Sequence, residues 1–411
     1  MPAPLEGIRV VEMAGWMAAP GAAAILADLG ADVVKVEPLR GDPMRGATRQ
    51  PELPEGSPPL DASFHLDNRG KRGVAIAVNT PEGVELVRKL LARADVFINN
   101  LLAGRQQRFG LDADSLRELN PRLVHATLTG YGLEGPDAHR PGYDITAFFG
   151  RGGFLHLATE PGSQAPRVRP AQGDHTAALA LVASILAALR LVEATGKGQA
   201  VDVNLYATAA WTMSTDLSAT LVDGNNPQML GRRGRPFALH GSFRTGDDRW
   251  LLLFMPEPHW WPRFCEVVER PEWIEDRRFA SFADRAKRMS ELTDLMDEAF
   301  ATRTLEDWGR RFDDAGLIWA PASTAVEIAD DPHAAAIGMF PEIEHPEAGR
   351  FRTVGSPVGV RDADVGPRGP GPDVGQHTTE VLAEVGVGPD ELSALAEGGV
   401  IAGPSLERPP S

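Results

Sequence analysis

The stretch IRVVEMAGWMAAPGAAAILADLGADVVKVE, residues 8–37, decides the fold. Its two ends, IRVVEM and DVVKVE, are rich in Val and Ile, as is typical of buried strands. The alanine-rich segment between them has Pro20 near its start and Gly30 at its end, where a helix favours these residues. A strand, a helix and a second strand in this order predict a parallel βαβ unit.

The same alternation continues through the first half of the chain. Further strands are predicted at residues 73–78, 95–100, 122–130 and 199–206, and helices at 81–94, 112–120 and 172–189. This order places the chain in the α/β class, with a mainly parallel sheet. Such sheets bind ligands at the carboxyl ends of their strands.

The character of the sequence changes after residue 206. A β-hairpin is predicted at 242–254, a charged and mostly helical block at 259–316, a second hairpin at 341–354 and terminal helices near 378–385 and 389–397. We therefore predict a domain order of four parts: the N-terminal part of a large α/β domain at 1–206, a linker at 207–236, a small α+β domain at 237–325, and a return to the large domain at 326–411.

Composition limits the partners of this chain. The formal charge of -16 over 411 residues disfavours a nucleic-acid surface. Cys265 is the single cysteine, and no Cys/His set has zinc spacing, so neither a disulfide nor a metal is expected. The N-terminus lacks signal-peptide features. The longest uncharged apolar run, 176–189, is shorter than the roughly 20 residues that span a bilayer. We expect a cytoplasmic protein without a membrane partner.

A glycine-rich stretch and several clusters of basic residues are candidate parts of a ligand site. Gly130, Gly132 and Gly135 match G-x-G-x-x-G, but Pro136 and a loop follow where a dinucleotide site needs a helix. The match therefore favours a loop that lets a ligand approach closely, rather than a dinucleotide-binding site. Basic residues also cluster after predicted strands, and either solvated surface or a nucleotide phosphate site would explain them; they are Arg40 and Arg45, Arg69, Lys71 and Arg72, and Arg105 and Arg108.

Asp174 stands directly before the apolar run of QGDHTAALALVASILAAL, residues 172–189. It could be an ordinary helix cap, which contributes about 1 kcal/mol. The positive end of the helix would also keep the carboxylate ionised, and an ionised carboxylate in a shielded cleft can attack an activated acyl group. Capping and catalysis are compatible at this position. For His175 a satisfied polar contact is favoured, and for Asp144 a cap or turn role.

Several stretches together resemble class III CoA-transferases, the family of formyl-CoA and carnitine CoA-transferases, to which α-methylacyl-CoA racemases are related. The similar stretches cover nearly the whole chain in order, and they include residues 4–45, NRGKRGVAIAV at 68–78, ADVFINNLLAGRQQRFGL at 94–111, TGYGLEGP at 129–136, RPGYDITAF at 140–148, 173–206 and GSFRTGDDRWLLLF at 241–254.

The resemblance implies a Rossmann-like large domain formed by both termini, a smaller domain between them, and two interlocked subunits. It makes Asp174 the nucleophile that accepts an acyl group from acyl-CoA as a mixed anhydride and then holds CoA as an aspartyl thioester, before CoA passes to a carboxylic acid. No metal is implied. The positions that match the family's coenzyme A contacts are Trp16, Met17, Ala18, Arg40, Lys71, Arg72, Asn100, Leu101, Arg108, Phe109 and Tyr131.

Two departures from the family pattern bear on function. The racemases have a histidine base where this chain has Tyr143, and a phenol with a pKa near 10 is a poor base for exchanging an α-proton. The sequence therefore favours a transferase over a racemase, with a non-catalytic CoA-binding protein as a further alternative. Residues 254–264, FMPEPHWWPRF, lack the glycine run of formyl-type enzymes, which predicts a different acyl group.

Overall fold

A computed structural model describes residues 1–48, 50–53, 55–227, 230–404 and 406. The chain forms two compact units. The large unit contains Met1–His156, Pro166–Asp223 and Ala335–Ser411, and the small unit contains Leu157–Ala165 and Gly224–Ala334. Residues 228 and 229 of the predicted linker lie outside the described part, as do 405 and 407–411 of the predicted C-terminal return to the large domain.

The strands follow the sequence prediction wherever the Val- and Ile-rich runs are long. They are β1 (Arg9–Met13), β2 (Asp32–Glu37), β3 (Arg72–Ile76), β4 (Val96–Asn99), β5 (Val124–Thr129), β6 (Ala200–Asn204), β7 (His240–Arg244), β8 (Trp250–Phe254), β9 (Trp319–Pro321), β10 (Glu342–His345), β11 (Gly349–Arg352) and β12 (Ile401–Ala402).

The helices include those predicted and several short ones that were not. They are α1 (Ala18–Asp28), α2 (Ala62–Asn68), α3 (Pro81–Leu91), α4 (Ala103–Phe109), α5 (Ala113–Leu119), α6 (Phe154–Leu157), α7 (Gln172–Thr195), α8 (Leu205–Thr212), α9 (Ser214–Asp223), α10 (Trp260–Val267), α11 (Glu272–Glu275), α12 (Phe282–Lys287), α13 (Met289–Phe300), α14 (Leu305–Asp314), α15 (Ala325–Ala329), α16 (Pro332–Ala336), α17 (Thr378–Glu384) and α18 (Pro389–Glu397). A π-helix, Ile145–Arg151, and a 3₁₀ turn, Arg232–Gly234, complete them.

The large unit is built on one sheet with strand order β12-β3-β2-β1-β4-β5-β6. All neighbouring pairs are parallel except β12 with β3, which confirms the predicted α/β class and its mainly parallel sheet. The order reverses at β1, since β2 lies on one side of it and β4 on the other. In parallel sheets such a switch point opens a crevice at the strands' carboxyl ends.

Alternate residues of the central strands supply two cores, one on each face of the sheet. Val10 and Val33 pack with α1 and α7 on one face. Val11 and Val34 pack with α3, α17 and α18 on the other. Because both faces are covered, the central strands are buried along most of their length and rich in Val, as is typical of parallel strands.

The helix α7 is the longest in the described chain and lies against α1. All of α1 is buried, and its small side chains allow close packing; a Cβ on Gly21 would meet Ala178 of α7 at 3.8 Å. By length and composition α7 alone among the described helices could cross a membrane, since it extends beyond the apolar run to 24 residues. Its buried residues, which include Leu181 and Ile185, make it a core helix here.

The small unit has its own core. Its antiparallel sheet has the order β7-β8-β9, and the hairpin of β7 and β8 confirms the prediction. Phe243 and Leu251 of this hairpin pack with Phe264, Met296 and Phe312 from α10, α13 and α14. The second predicted hairpin is also present, as β10 and β11 of the large unit.

Candidate active site

A cavity of about 410 Å³ opens in the large unit at the switch point of the sheet. Its walls include Met13 at the end of β1, Glu37 at the end of β2, Asn100 just after β4 and Thr129 at the end of β5. The first turn of α7 contributes Asp174. The cavity therefore lies at the carboxyl edge of the strands, where the sequence placed a ligand site.

Asp174 is the third residue of α7 and does not cap it, so the capping prediction was wrong. The cap position belongs to Ala171, whose side chain makes no capping bond. A cap residue must lie outside the helix for its side chain to reach back to the second or third N–H, and Asp174 already has helical geometry. Within the described residues its carboxylate makes no hydrogen bond, so it is available to a ligand in the cavity.

The environment of Asp174 raises its pKa to about 7, chiefly through burial and then through the nearby charge of Asp144. Asp67 acts in the same direction, and His175 opposes both. The expectation that the helix end would hold this group ionised was therefore wrong, because loss of water and a like charge outweigh the helix dipole. Near neutral pH the carboxyl group is poised between its two forms, a common property of reactive groups.

Asp144 is almost fully buried, with 2% of its surface exposed. Its Oδ2 accepts the backbone N–H of Ala171 at 2.7 Å. Burial raises the pKa of Asp144, and the hydrogen bond from Ala171 opposes that shift. Asp144 occupies the cap position of the π-helix Ile145–Arg151 as the sequence predicted, but its side chain makes no capping bond there and bonds the backbone before α7 instead.

His175 turns away from the cavity that contains Asp174. Its Nε2 lies 3.0 Å from Oδ1 of Asp67, a buried residue at the end of α2. This contact raises the pKa of His175. The imidazole lines a second, mostly apolar cavity of about 280 Å³ beside α1. The polar contact predicted for His175 is confirmed.

The turn between β1 and α1 brings an aromatic ring to the cavity. Trp16 has a φ of 69°, a left-handed conformation that non-glycine residues adopt at a cost of about 1 kcal/mol. Its backbone N–H donates to Oδ1 of Asp42 at 3.1 Å, and Nδ2 of Asn100 donates to the carbonyl of Gly15 at 2.9 Å. The Trp16 ring meets the Tyr143 ring edge-on, with centroids 5.6 Å apart. These bonds hold the turn against its strain.

A network of buried charges lies beneath this turn. Nζ of Lys35 lies 2.9 Å from Oε1 of Glu12 and 2.8 Å from Oδ2 of Asp42. Nζ of Lys71 lies 2.6 Å from Oε2 of Glu12 and also donates to the carbonyls of Pro20 and Asp67 and to Oδ1 of Asn68. Buried charges are tolerated only when they are paired. These charges are paired on every side, and they support the floor of the site.

Two of the cationic residues expected at a nucleotide are engaged elsewhere. The Lys71 side chain has no exposed surface, and its ammonium group already has four acceptors. Arg72 bonds Asp32 and Glu384. Neither residue lines the cavity, and the donors of both are bonded within the protein.

The structure divides the remaining expected contacts into two groups. Those that line the cavity with Asp174 are Trp16, Ala18, Asn100, Leu101 and Phe109. Those that do not line it are Met17, Arg40, Arg108 and Tyr131. Arg108 stacks over Phe109 at 4.8 Å, while Arg105, one turn earlier in α4, lines the cavity. The sequence placed both arginines in one basic cluster and named only Arg108 as a CoA contact, whereas Arg105 is the one that lines the cavity.

Sequence reasoning missed Asp42, which shapes the turn, and gave Asp144 no role toward Asp174. The signal for Asp42 was available, since an acidic residue follows β2 by a few positions, but its partners Lys35 and Trp16 come from other elements. Among the described residues no group of His, Cys, Asp and Glu has the arrangement of a metal site. The cavity thus combines the half-buried carboxyl group of Asp174 with apolar and polar wall residues.

Comparisons with known proteins agree on one family. The sequence model described as CoA-transferase family III matches residues 5–378. The chain is 33% identical over 401 residues to (R)-2-hydroxy-4-methylpentanoate CoA-transferase of Clostridioides difficile, covering 97% of this chain and 99% of that one. It is 30% identical to cinnamoyl-CoA:phenyllactate CoA-transferase of Clostridium sporogenes, covering 95% of each chain. A CAIB/BAIF family protein from Brucella suis has a similar structure, with a TM-score of 0.84, 31% identity and coverage of 94% of this chain and 100% of that one.

Proposed function

The chain belongs to CoA-transferase family III, and from this premise we propose that it transfers CoA from an acyl-CoA to a free carboxylic acid through a covalent intermediate on Asp174. One observation supports Asp174 most directly. Its carboxyl group lines the cavity at the switch point and, within the described residues, makes no hydrogen bond. A carboxylate that is already bonded as a helix cap or in an ion pair is less available to attack a carbonyl carbon than one without a partner.

The proposed reaction consists of four acyl substitutions: one at the donor carbonyl, two at the aspartyl carbonyl and one at the acceptor carbonyl. The Asp174 carboxylate attacks the donor thioester; a C–O bond forms, the C–S bond breaks, and CoA leaves as a thiolate. The thiolate attacks the aspartyl carbonyl of this mixed anhydride, which releases the donor acid and leaves Asp174 as a CoA thioester. The acceptor carboxylate then attacks that thioester, and the released thiolate finally attacks the acceptor's carbonyl, which restores Asp174. Each covalent intermediate divides one difficult exchange into easier steps.

The surroundings of Asp174 suit this role in two ways. Burial weakens solvation of its anion, which makes the anion a stronger nucleophile, and it also raises the pKa to about 7. A substrate that fills the cavity would displace water, which could otherwise hydrolyse an anhydride or a thioester. For CoA we propose contacts with Trp16, Ala18 and the loop after β4, and we add Arg105 for an anionic group; Met17, Arg40, Arg108 and Tyr131 remain proposed contacts from outside the cavity wall.

The aromatic and aliphatic walls favour an acid with an apolar substituent. Trp16 and Tyr143 form one wall, and Leu128 and Leu205 contribute to others. The two named relatives act on 4-methyl-2-hydroxypentanoate and on cinnamoyl and phenyllactate groups, which carry branched or aromatic substituents. We propose a substrate of this kind here. From the resemblance we further propose an interlocked homodimer in the cytoplasm, with the large domain at 1–206 and 326–411 and the small domain at 237–325.

Intact-protein mass spectrometry tests the proposal directly. The protein is incubated with isocaproyl-CoA, cinnamoyl-CoA and succinyl-CoA, and the adduct is located by peptide mapping. We expect a mass gain of CoA on the peptide that contains Asp174, strongest with the apolar donors, and none in Asp174→Asn. The matched control is Asp112→Asn, which alters an aspartate that does not line the cavity. Full transfer activity in Asp174→Asn would exclude the proposed nucleophile.

A second measurement, of deuterium exchange, distinguishes a transferase from a racemase. Tyr143 lies edge-on to Trp16 with 57% of its surface exposed, and among the described residues its phenol makes no hydrogen bond to a basic side chain. We expect CoA transfer without exchange of the α-proton for deuterium in heavy water. Exchange at the α-carbon without transfer would favour the epimerase instead, and CoA binding without any adduct would favour a non-catalytic protein.

A further inference from the structure

The first turn of α7 is held by a group from another part of the chain. Ala171, just before the helix, has a φ of 82°, which costs a non-glycine residue about 1 kcal/mol. Its N–H donates to Oδ2 of Asp144 at 2.7 Å, and 27 positions separate the two residues. A strained residue persists when its surroundings over-determine it. Here a buried carboxylate fixes the strained residue at the entrance to the helix.

We propose that Asp144 is a positioning residue for Asp174: by bonding the backbone before α7 it takes the place of a local helix cap, which leaves the Asp174 side chain unbonded and directed to the cavity. The inference rests on the proposed function of Asp174. Without Asp144, the orphan N–H groups at the start of α7 would compete for the nearest carboxylate, and the nearest is Asp174 itself.

The contact between α7 and the π-helix supports this assignment. Gly173 packs directly on Phe148, and a Cβ added to Gly173 would lie 2.6 Å from Cγ of that ring. Phe148 belongs to the π-helix that begins at Ile145, directly after Asp144. π-Helical turns are rare and occur often at functional sites. The π-helix thus holds the start of α7 at two points, through the Asp144 carboxylate and the Phe148 ring.

The same placement has an electrostatic consequence for Asp174. The titratable groups that face it are Asp144, Asp67 and His175. The two aspartates raise its pKa and the imidazole lowers it. Because Asp144 has the largest effect of the three, removal of its charge alone is expected to lower the pKa of Asp174 and to move the ionisation of the nucleophile toward acid.

Two variants separate the hydrogen bond from the charge. Asp144→Asn keeps an acceptor for the Ala171 N–H but removes the negative charge. We expect the acid limb of its kcat/KM profile for CoA transfer to move to lower pH, with kcat close to wild type at the optimum. Asp144→Ala loses the acceptor as well. Since a small misplacement of a reacting group can cost about 10²-fold in rate, we expect a loss of about that size in kcat, with little change in KM for the acyl-CoA.

The matched control is Asp112, which caps α5 by accepting the Ser115 N–H at 3.0 Å and does not line the cavity. Asp112→Ala also removes a helix cap, so it reports the effect of lost stability alone; we expect its kcat and pH profile to match wild type. The inference is overturned if Asp144→Asn leaves the acid limb in place, or if Asp144→Ala transfers CoA as fast as Asp112→Ala.

Asp174→Asn separates this inference from the proposed function. If Asp174→Asn transfers CoA at full rate, the proposed nucleophile is wrong. If Asp174→Asn is inactive while the Asp144 variants behave as the Asp112 controls do, only the positioning role fails. Should Asp144→Ala not fold, as judged by circular dichroism, the pH profile of Asp144→Asn decides the question, because asparagine preserves the shape and the acceptor.

Discussion

The ammonium group of Lys71 lies 2.6 Å from the carboxylate of Glu12, and neither side chain has any exposed surface. Glu12 lies near the carboxyl end of β1, at the edge where the candidate site lies, whereas Lys71 directly precedes the amino end of β3 and reaches Glu12 through its side chain. Burial lowers the pKa of Lys71 to about 8, against the pull of Glu12. The pair therefore belongs to the internal support of the site, and not to its ligand-binding surface.

Lys71→Met should destabilise the fold without weakening CoA binding by the protein that remains folded. Loss of one partner leaves a buried carboxylate with less compensation and costs about 3 kcal/mol. Urea unfolding measures the loss, and calorimetric titration of CoA at low temperature measures the affinity. A contact with the nucleotide would instead show itself as lost affinity in a protein of normal stability.

Lys89→Met provides the comparison for this experiment. Nζ of Lys89 lies 3.3 Å from Oε1 of Glu391, with both side chains partly exposed. An exposed pair of this kind contributes less than about 1 kcal/mol. We expect its unfolding midpoint to stay near that of wild type, so the contrast between the two lysines isolates burial as the cause.

The fold was predictable because its central strands are buried and rich in Val. Runs such as that of β2 at Asp32–Glu37 are buried on both faces and are separated by helical segments, which specifies a parallel sheet without knowledge of tertiary contacts. The short strands β9 and β12 were not predicted. A strand of two or three residues has too little sequence to show a period, and it forms because a longer neighbour offers it hydrogen bonds.

The site was predictable only where a single local segment defines it. Asp174 is marked by its position before an apolar helix, and the sequence identified it. The roles of Lys71, Arg105 and Asp144 depend on partners far away in the chain: Glu12 for Lys71 and Ala171 for Asp144. Basic residues in loops look alike in sequence, and only the fold determines which one is paired inside and which one faces a ligand.

Gly173→Ala should displace the first turn of α7 and reduce transfer. The added methyl group would overlap the Phe148 ring, since its Cβ would lie 2.6 Å from Cγ, and overpacking of this kind costs about 1–3 kcal/mol. We expect a lower melting temperature together with a reduced kcat. Gly104→Ala is the control: it lies in α4 with no atom within 4 Å of the new Cβ, and it should be neutral or slightly stabilising. Equal melting temperatures for the two variants would contradict the packing argument.

Two substitutions of Trp16 separate its ring from its backbone strain. Trp16→Ala removes the cavity wall and the edge contact with Tyr143 but keeps a side chain at a φ of 69°. Trp16→Gly removes the ring and the strain together. We expect both to raise KM for an apolar acyl-CoA to the same extent, and Trp16→Gly to be more stable than Trp16→Ala by about 1 kcal/mol. If the two variants unfold at the same denaturant concentration, the turn is not strained in solution.

Asp174→Asn should stabilise the protein at alkaline pH while it abolishes transfer. The folded carboxyl group has a pKa of about 7, raised chiefly by burial, against an ordinary value of 3.8. Between these values the folded state keeps a proton that the unfolded state has lost, so the free energy of unfolding falls as pH rises from about 4 to about 7 and stays reduced above that range. Asparagine cannot ionise, so the free energy of unfolding of the variant does not fall in this way.

The variant should therefore gain at least about 1 kcal/mol over wild type at pH 8, and the difference should vanish near pH 4. Asp112→Asn is expected to show the opposite pattern. Burial alone would raise the pKa of Asp112, but the hydrogen bonds from Ser115 outweigh it and lower the pKa. The ionised carboxylate of Asp112 stabilises the fold. Asp112→Asn should therefore lower the free energy of unfolding at neutral pH and have no effect on it in acid. Urea midpoints from pH 4 to 8 measure both, and a pH-independent difference for Asp174→Asn would mean that the carboxyl group is not desolvated in the folded protein.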